Sequence, residues 1–260
     1  TELAGAGTGM LLSDWLQTCY DNHEKRGLRD MGSISNVKRA LHMFRPDTRL
    51  SDIDRQFCLD MIGWIRNTYK HRLPGKPVSA RTADTYCQTF RTMLNEAVRE
   101  GLIDKNPWNR LETIEKIKKP ESKREYLTID EIRSMITTDC PTELVKRAYL
   151  FSCFTGLRIS DVRNLKWGDI YHENGQTFVS VVMKKTTKPL YIPLSGQALK
   201  WMPEKGESTS DGYVFGNLVN YGNVNENLKK WAEAAGIRKH ISYHTSRHSI
   251  ATLMHTLRAA

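Results

Sequence analysis

Residues 243–249 read YHTSRHS, and the side chains in that stretch could do two kinds of chemistry. His240, His244, His248 and His255 are spaced by four, four and seven, so a helix could bring several imidazoles to one face as metal ligands. A zinc hydrolase of the HExxH type also needs a glutamate beside the first histidine to activate water. Thr245 stands there instead, no cysteine or carboxylate lies nearby at ligand spacing, and Arg247 would set a permanent cation beside any metal. No metal and no other cofactor is expected. The second chemistry is anion binding. A helix N-terminus offers free N–H groups and positive dipole character, and HTSRH places His244 and Arg247 three apart at such a start. About ninety residues upstream, TGLRIS ends one helix and begins another with Arg158 at the break. Two guanidiniums converging on one phosphodiester could hold both non-bridging oxygens in fork geometry. They would also stabilise the extra negative charge of a pentacoordinate transition state without a metal.

Such a grip requires folding to bring distant segments together, so the elements that carry them come next. The first hundred residues read as helices. LLSDWLQTCYDNHEKRG puts Leu11, Trp15, Leu16 and Cys19 on one face, with Gly27 as the stop. SISNVKRALHMF offers Ser35 or Asn36 as N-cap, and DIDRQFCLDMIGWIRNTY carries Ile53, Phe57, Met61 and Ile65 on one stripe. SARTADTYCQTFRTMLNEAVREG predicts a long helix capped by Ser79 and closed by Gly101, with a fifth element near Leu111. These stripes read as core. The charged, Pro-broken stretch IKKPESKREY reads as a linker, so the expected division is a helical domain over 1–116, a linker over 117–126 and a second domain over 127–260.

The second domain opens with Thr128 and Glu131 at capping-box spacing. ELVKRAYLFSCFTGLR predicts a buried helix ending at Gly156, and SDVRNLKWGDI a short amphipathic helix opened by Ser160. TFVSVVM and LYIPLS read as strands joined by KKTTKP, after which NVNENLKKWAEAAG and HTSRHSIATLMHTL return to helix. The fold class is therefore mostly α with a small β-hairpin sheet, an α+β arrangement.

Composition agrees with a polyanion partner. Lys and Arg number 39 against 29 acidic residues, a net charge of +10. The excess is shared, +4 over residues 1–110 and +6 over 111–260, as expected if both halves face nucleic acid. The five cysteines form no CxxC pair, which suits free thiols in a reducing, cytoplasmic compartment. No apolar run reaches the roughly 18–20 residues a membrane span needs, and no signal-peptide pattern opens the chain. The first residue is Thr1 rather than Met, so a further N-terminal piece is expected.

FTGLRISDVRNLKWGDI, the KKTTKPLYIPL hairpin and HTSRHSIATL together strongly resemble the tyrosine recombinases, the integrases of phages and transposons. SARTADTYCQTFRTMLNEAVREGLIDKNPW resembles their helical, SAM-like core-binding domain, so the likeness covers nearly the whole chain. The resemblance implies a two-domain, C-shaped clamp on double-stranded DNA, with the linker on the minor-groove side and dimers or tetramers on paired half-sites. It implies strand cleavage and rejoining through a 3′-phosphotyrosine intermediate. Arg158 and Arg247 would clamp the scissile phosphate, and His244 would hydrogen-bond it. Lys185, with Lys184 or Lys188 in another register, would protonate the departing 5′-oxygen. Asp161 would brace the first arginine box and His248 would support the site, while His255 reads as an incidental helix residue. Lys76, Ser79, Arg81 and Arg91 are candidate DNA-backbone contacts. The family's tyrosine nucleophile belongs beyond the H-x-x-R-H box. Here the chain ends at Ala260, thirteen residues after Arg247, and all ten tyrosines precede His244. The expectation is a fragment that grips DNA and lacks the nucleophile needed to cut it. A DNA-binding regulator with this fold but no catalysis, or a type IB topoisomerase-like enzyme, are the alternatives.

Overall fold

The computed structural model describes residues 9–70, 77–121, 125–182, 189–250 and 252. The chain divides into two compact units, Thr1–Ser122 and Lys123–Ala260. Each has its own hydrophobic core, formed by residues from Leu12 to Ile117 in one and from Leu127 to Tyr243 in the other. The architecture is mostly helical with one small antiparallel sheet, the fold class expected from the sequence.

In the first unit, α1 (Leu12–Lys25) buries Leu12, Trp15, Leu16 and Cys19, and the Trp15 indole donates to the Met93 carbonyl at 3.0 Å. The next helix, α2 (Met31–Phe44), starts before the expected caps at Ser35 and Asn36. Fully buried Ile34 extends its apolar stripe toward the N-terminus, and Asp30 occupies the N-cap. α3 (Arg55–Asn67) opens on Asp54, whose carboxylate accepts from the Phe57 N–H at 2.7 Å. α4 (Ala80–Arg99) is capped by Ser79 and followed by Gly101 at φ 71°, as its sequence requires. Near Leu111 the expected fifth element is a pair of 3-10 turns, Pro107–Arg110 and Thr113–Glu115. Cys58 and Cys87 are buried and their thiols pushed up to about 12 by burial.

Asp30 does not cap α2 with its side chain because that carboxylate faces His23. The His23 ring is 4 % exposed. Its Nδ1 lies 2.7 Å from Asp30 and its Nε2 3.0 Å from Glu96 of α4, so one imidazole joins α1, α2 and α4. Burial alone lowers its pKa, but the hydrogen bonds and charges of Asp30 and Glu96 outweigh burial and raise it above 6.5. A raised folded pKa means this contribution is full below the unfolded value near 6.5 and is lost as pH rises through the folded value. His23→Gln therefore costs about 2 kcal/mol at pH 6, where it leaves the partly buried Glu96 and the half-exposed Asp30 short of a charged partner. The gap to the wild type narrows toward pH 9, read as the difference in urea midpoints.

The second unit begins with α5 (Ile129–Thr137), capped reciprocally by Thr128 and Glu131. α6 (Glu143–Thr155) is buried over most of its surface and ends at Gly156. The short α7 (Ile159–Asn164) opens at Arg158 rather than at Ser160, because Arg158 takes the extended N-cap conformation and Asp161 closes the box behind it. β1 (Ile170–Glu173), β2 (Gln176–Val182) and β3 (Pro189–Pro193) pair antiparallel in that order, with Ile170, Val179 and Ile192 in register over the core. The sequence reading missed β1 and ran a helix through Ile170. The four-residue strand is set by Asn174 and Gly175, both at positive φ, a tight hairpin turn. α8 (Gly196–Trp201) was also unforeseen. α9 (Tyr221–Ala234) and a closing helix over 245–250 complete the unit.

Candidate active site

α6 cannot continue past Thr155, because Gly156 sits at φ 71°, a left-handed conformation that side-chain-bearing residues rarely adopt. A Cβ at that position would also meet Ile250 Cγ2 at 3.4 Å. The turn presents the Gly156 carbonyl to Arg247, whose Nη1 donates to it at 2.6 Å. Arg158 follows two residues later at the N-cap of α7. Asp161, 7 % exposed, accepts the Arg158 backbone N–H at 3.2 Å and lies 4.0 Å from its guanidinium. The Ser160 hydroxyl donates to the other carboxylate oxygen at 3.2 Å.

The segment bearing Arg247 is fixed from several sides. Asn225 of α9 accepts the Tyr243 backbone N–H at 2.8 Å. Ser246 donates its hydroxyl to the Tyr243 carbonyl at 2.7 Å, and Thr245 accepts the Ser242 N–H at 3.1 Å. Ser249, fully buried, accepts the Leu127 N–H at 2.9 Å and so ties the closing helix to the start of the unit. His244 is exposed at the turn before this helix, and the His248 ring packs edge-on against it with centroids 4.8 Å apart.

Burial lowers the pKa of Arg247, the positive charge of Arg158 lowers it further, and Asp161 acts in the opposite direction. Two guanidiniums 89 positions apart in sequence are thus within electrostatic reach of one another. Both remain cations, since arginine does not lose its proton in proteins. Folding has crowded like charges where an anion would relieve the repulsion.

Arg158, Asp161, His244, Arg247 and His248 therefore belong to one region of the second unit. Lys185, its alternatives Lys184 and Lys188, Lys76 and His255 lie outside the described residues. Ser79 is occupied as a cap, accepting the Thr82 N–H at 3.2 Å, while Arg81 and Arg91 are exposed on α4. Sequence reasoning missed the Gly156 carbonyl as the partner of Arg247. The signal was available in the glycine that ends α6. It also set Tyr243 aside only as a mismatched nucleophile, whereas the residue is 1 % exposed and its phenol is bonded inside the core.

The phage integrase family matches residues 125–257, and the phage integrase SAM-like domain matches residues 11–127. A tyrosine recombinase of Thermosipho africanus is 28 % identical over 213 residues, covering 78 % of this chain and 71 % of the relative. Tyrosine recombinase XerD of Listeria innocua is 27 % identical, covering 85 % of this chain and 77 % of its own length. For tyrosine recombinase XerC of Vibrio parahaemolyticus the identity is 25 %, over 74 % of this chain and 64 % of that protein. Among solved structures, a lambda integrase dimer bound to a COC′ core site superposes with a TM-score of 0.71 at 21 % identity, covering 97 % of this chain and 72 % of that one. The Tn1549 transposon integrase in complex with circular intermediate DNA gives 0.69 at 16 %, over 95 % and 88 %. At those identities the structural likeness speaks for the fold, and the family matches speak for kinship. The chain belongs to the phage integrase family, the tyrosine recombinases, enzymes that break and rejoin DNA strands.

Proposed function

We propose that this chain carries the DNA-gripping and phosphate-activating groups of a site-specific recombinase that works through a 3′-phosphotyrosine intermediate. The observation that carries the reading is the crowding of Arg158 and Arg247 at the end of α6. In this reading the two guanidiniums hold the non-bridging oxygens of one phosphodiester and stabilise the charge that builds on them in the transition state. His244 hydrogen-bonds the same phosphate, with His248 behind it, and Asp161 braces Arg158. Lys185 protonates the departing 5′-oxygen. The attacking group in this reading is a tyrosine phenol, which forms the phosphotyrosine link.

The first unit serves as the core-binding domain, contacting the duplex backbone through Lys76, Ser79, Arg81 and Arg91, and residues 117–126 act as the linker. Double-stranded DNA is the partner, and the working form is a dimer or tetramer. The solved lambda integrase complexes, a dimer on a core site and a tetramer on a Holliday junction, support that assembly. The protein works in the cytoplasm, and among the described residues no helix is long and apolar enough to cross a membrane.

The test is a nicked suicide duplex carrying the protein's own recombination site, incubated with the full-length protein. A detergent-resistant 3′-phosphotyrosyl adduct is expected. Tight, site-specific binding with no adduct would replace the enzyme by a regulator. Relaxation of supercoiled plasmid with no site preference would favour a topoisomerase. Binding of this chain to a duplex should weaken with salt by about 0.9 in the log–log slope for each phosphate neutralised, and Arg247→Ala should reduce that slope by about 1.

A further inference from the structure

Tyr243 stands beside His244, yet no step of the phosphate chemistry uses it. Its ring is buried in the second core, edge-on to Tyr149 at 5.8 Å. A buried hydroxyl costs free energy unless it is bonded, and phenylalanine would fill nearly the same space. The Tyr243 phenol donates to the Ala148 carbonyl at 2.7 Å and lies 2.7 Å from the Ser152 hydroxyl, both on α6. Burial raises its pKa, partly opposed by the Ser152 bond, so the group stays neutral and out of reach of any phosphorus. Tyr149 is a contrast within the same cluster, because its buried hydroxyl has no hydrogen-bond partner among the described residues.

We propose that Tyr243 is a positioning residue for the clamp, its phenol fixing the His244–Arg247 segment to α6, the helix whose C-terminal turn leads to Arg158. The role rests on the recombinase reading given above. Three attachments hold the segment: the phenol on Ala148 and Ser152, the Arg247 guanidinium on Gly156, and the Tyr243 N–H on Asn225 of α9. A single attachment would leave the segment free to pivot, whereas attachments to the middle and the C-terminal end of α6 and to α9 restrict its place and its orientation. Ala148 and Gly156 are eight residues apart, which is about 12 Å along or just past a rigid helix. The phenol thus sets where His244 and Arg247 lie relative to Arg158 across a span no single contact bridges. Transfer at phosphorus is sensitive to such placement, since a shift of about 1 Å can cost up to about a hundred-fold in rate.

The test compares Tyr243→Phe with Tyr149→Phe in the full-length protein. Both variants remove one buried hydroxyl from the same core, but only the first touches the clamp. On the nicked suicide duplex, Tyr243→Phe should form the adduct about ten-fold more slowly in a single turnover. Its affinity for the same duplex should stay within about two-fold. Tyr149→Phe should keep the wild-type rate. Asn225→Ala should also slow the step, and Asn225→Asp, which keeps the acceptor, should restore it. A wild-type rate for Tyr243→Phe, or an equal loss in Tyr149→Phe, overturns the positioning role. Absence of adduct from the wild-type protein overturns the recombinase reading itself, and this role with it.

Discussion

Arg247→Ala should slow single-turnover adduct formation by about a thousand-fold, with a smaller loss of duplex affinity. Removing one well-placed donor to a developing oxyanion costs about 10²–10³ in rate, and this side chain also holds the segment in place through Gly156. Arg247→Lys should recover little, because an ammonium can supply the charge but not two parallel N–H groups. Arg158→Ala should lose a similar factor. The double variant should be far less than multiplicatively worse, as expected when two groups act on one phosphate. Gel quantification of the detergent-resistant adduct over time checks all four variants. Nearly additive free-energy losses would mean that the arginines serve separate contacts.

Trp231→Ala should destabilise the second unit by about 3–5 kcal/mol while leaving the first unchanged. Trp231 is fully buried on α9, donates its indole N–H to the Thr138 carbonyl at 3.0 Å, and meets Tyr149 edge-on at 6.1 Å. Truncation leaves a cavity in the core and removes one of two donors to the Thr138 carbonyl, the other being the Lys146 ammonium at 2.9 Å. The two cores share no residues, so the damage should stay on one side of the chain. Peptide-resolved hydrogen exchange should show protection of α6 and α9 falling by orders of magnitude, with α3 and α4 as in the wild type. An equal fall in α4 would contradict the independence of the cores.

Much of this was legible in the residues because the determinants are local. Ser79 and Gly101 bound α4 through backbone chemistry that a single chain segment contains. The same holds for Thr128 with Glu131 and for the glycine that stops α6. The two arginine boxes could be read, but their proximity depends on how α6, α7 and the closing helix pack. Nothing in the spacing of 158 and 247 fixes that. The failures are instructive in the same terms. The start of α2 was read at Ser35 or Asn36 rather than at Asp30, whose carboxylate is held by His23 through tertiary contact. β1 was lost because four residues are too few to show alternation, although Asn174–Gly175 was a usable turn signal. The packing of Tyr243 was hidden, since its partners at 148 and 152 lie nearly a hundred residues away.

The arrangement of the two cores has a consequence for inheritance. Among the described residues each is assembled from one run of sequence, Leu12 to Ile117 and Leu127 to Tyr243, and none of the described strands or helices contributes to both. A genetic exchange falling between those runs hands each descendant two whole hydrophobic interiors. The two units can then be reshuffled among related genes without either losing the ability to fold.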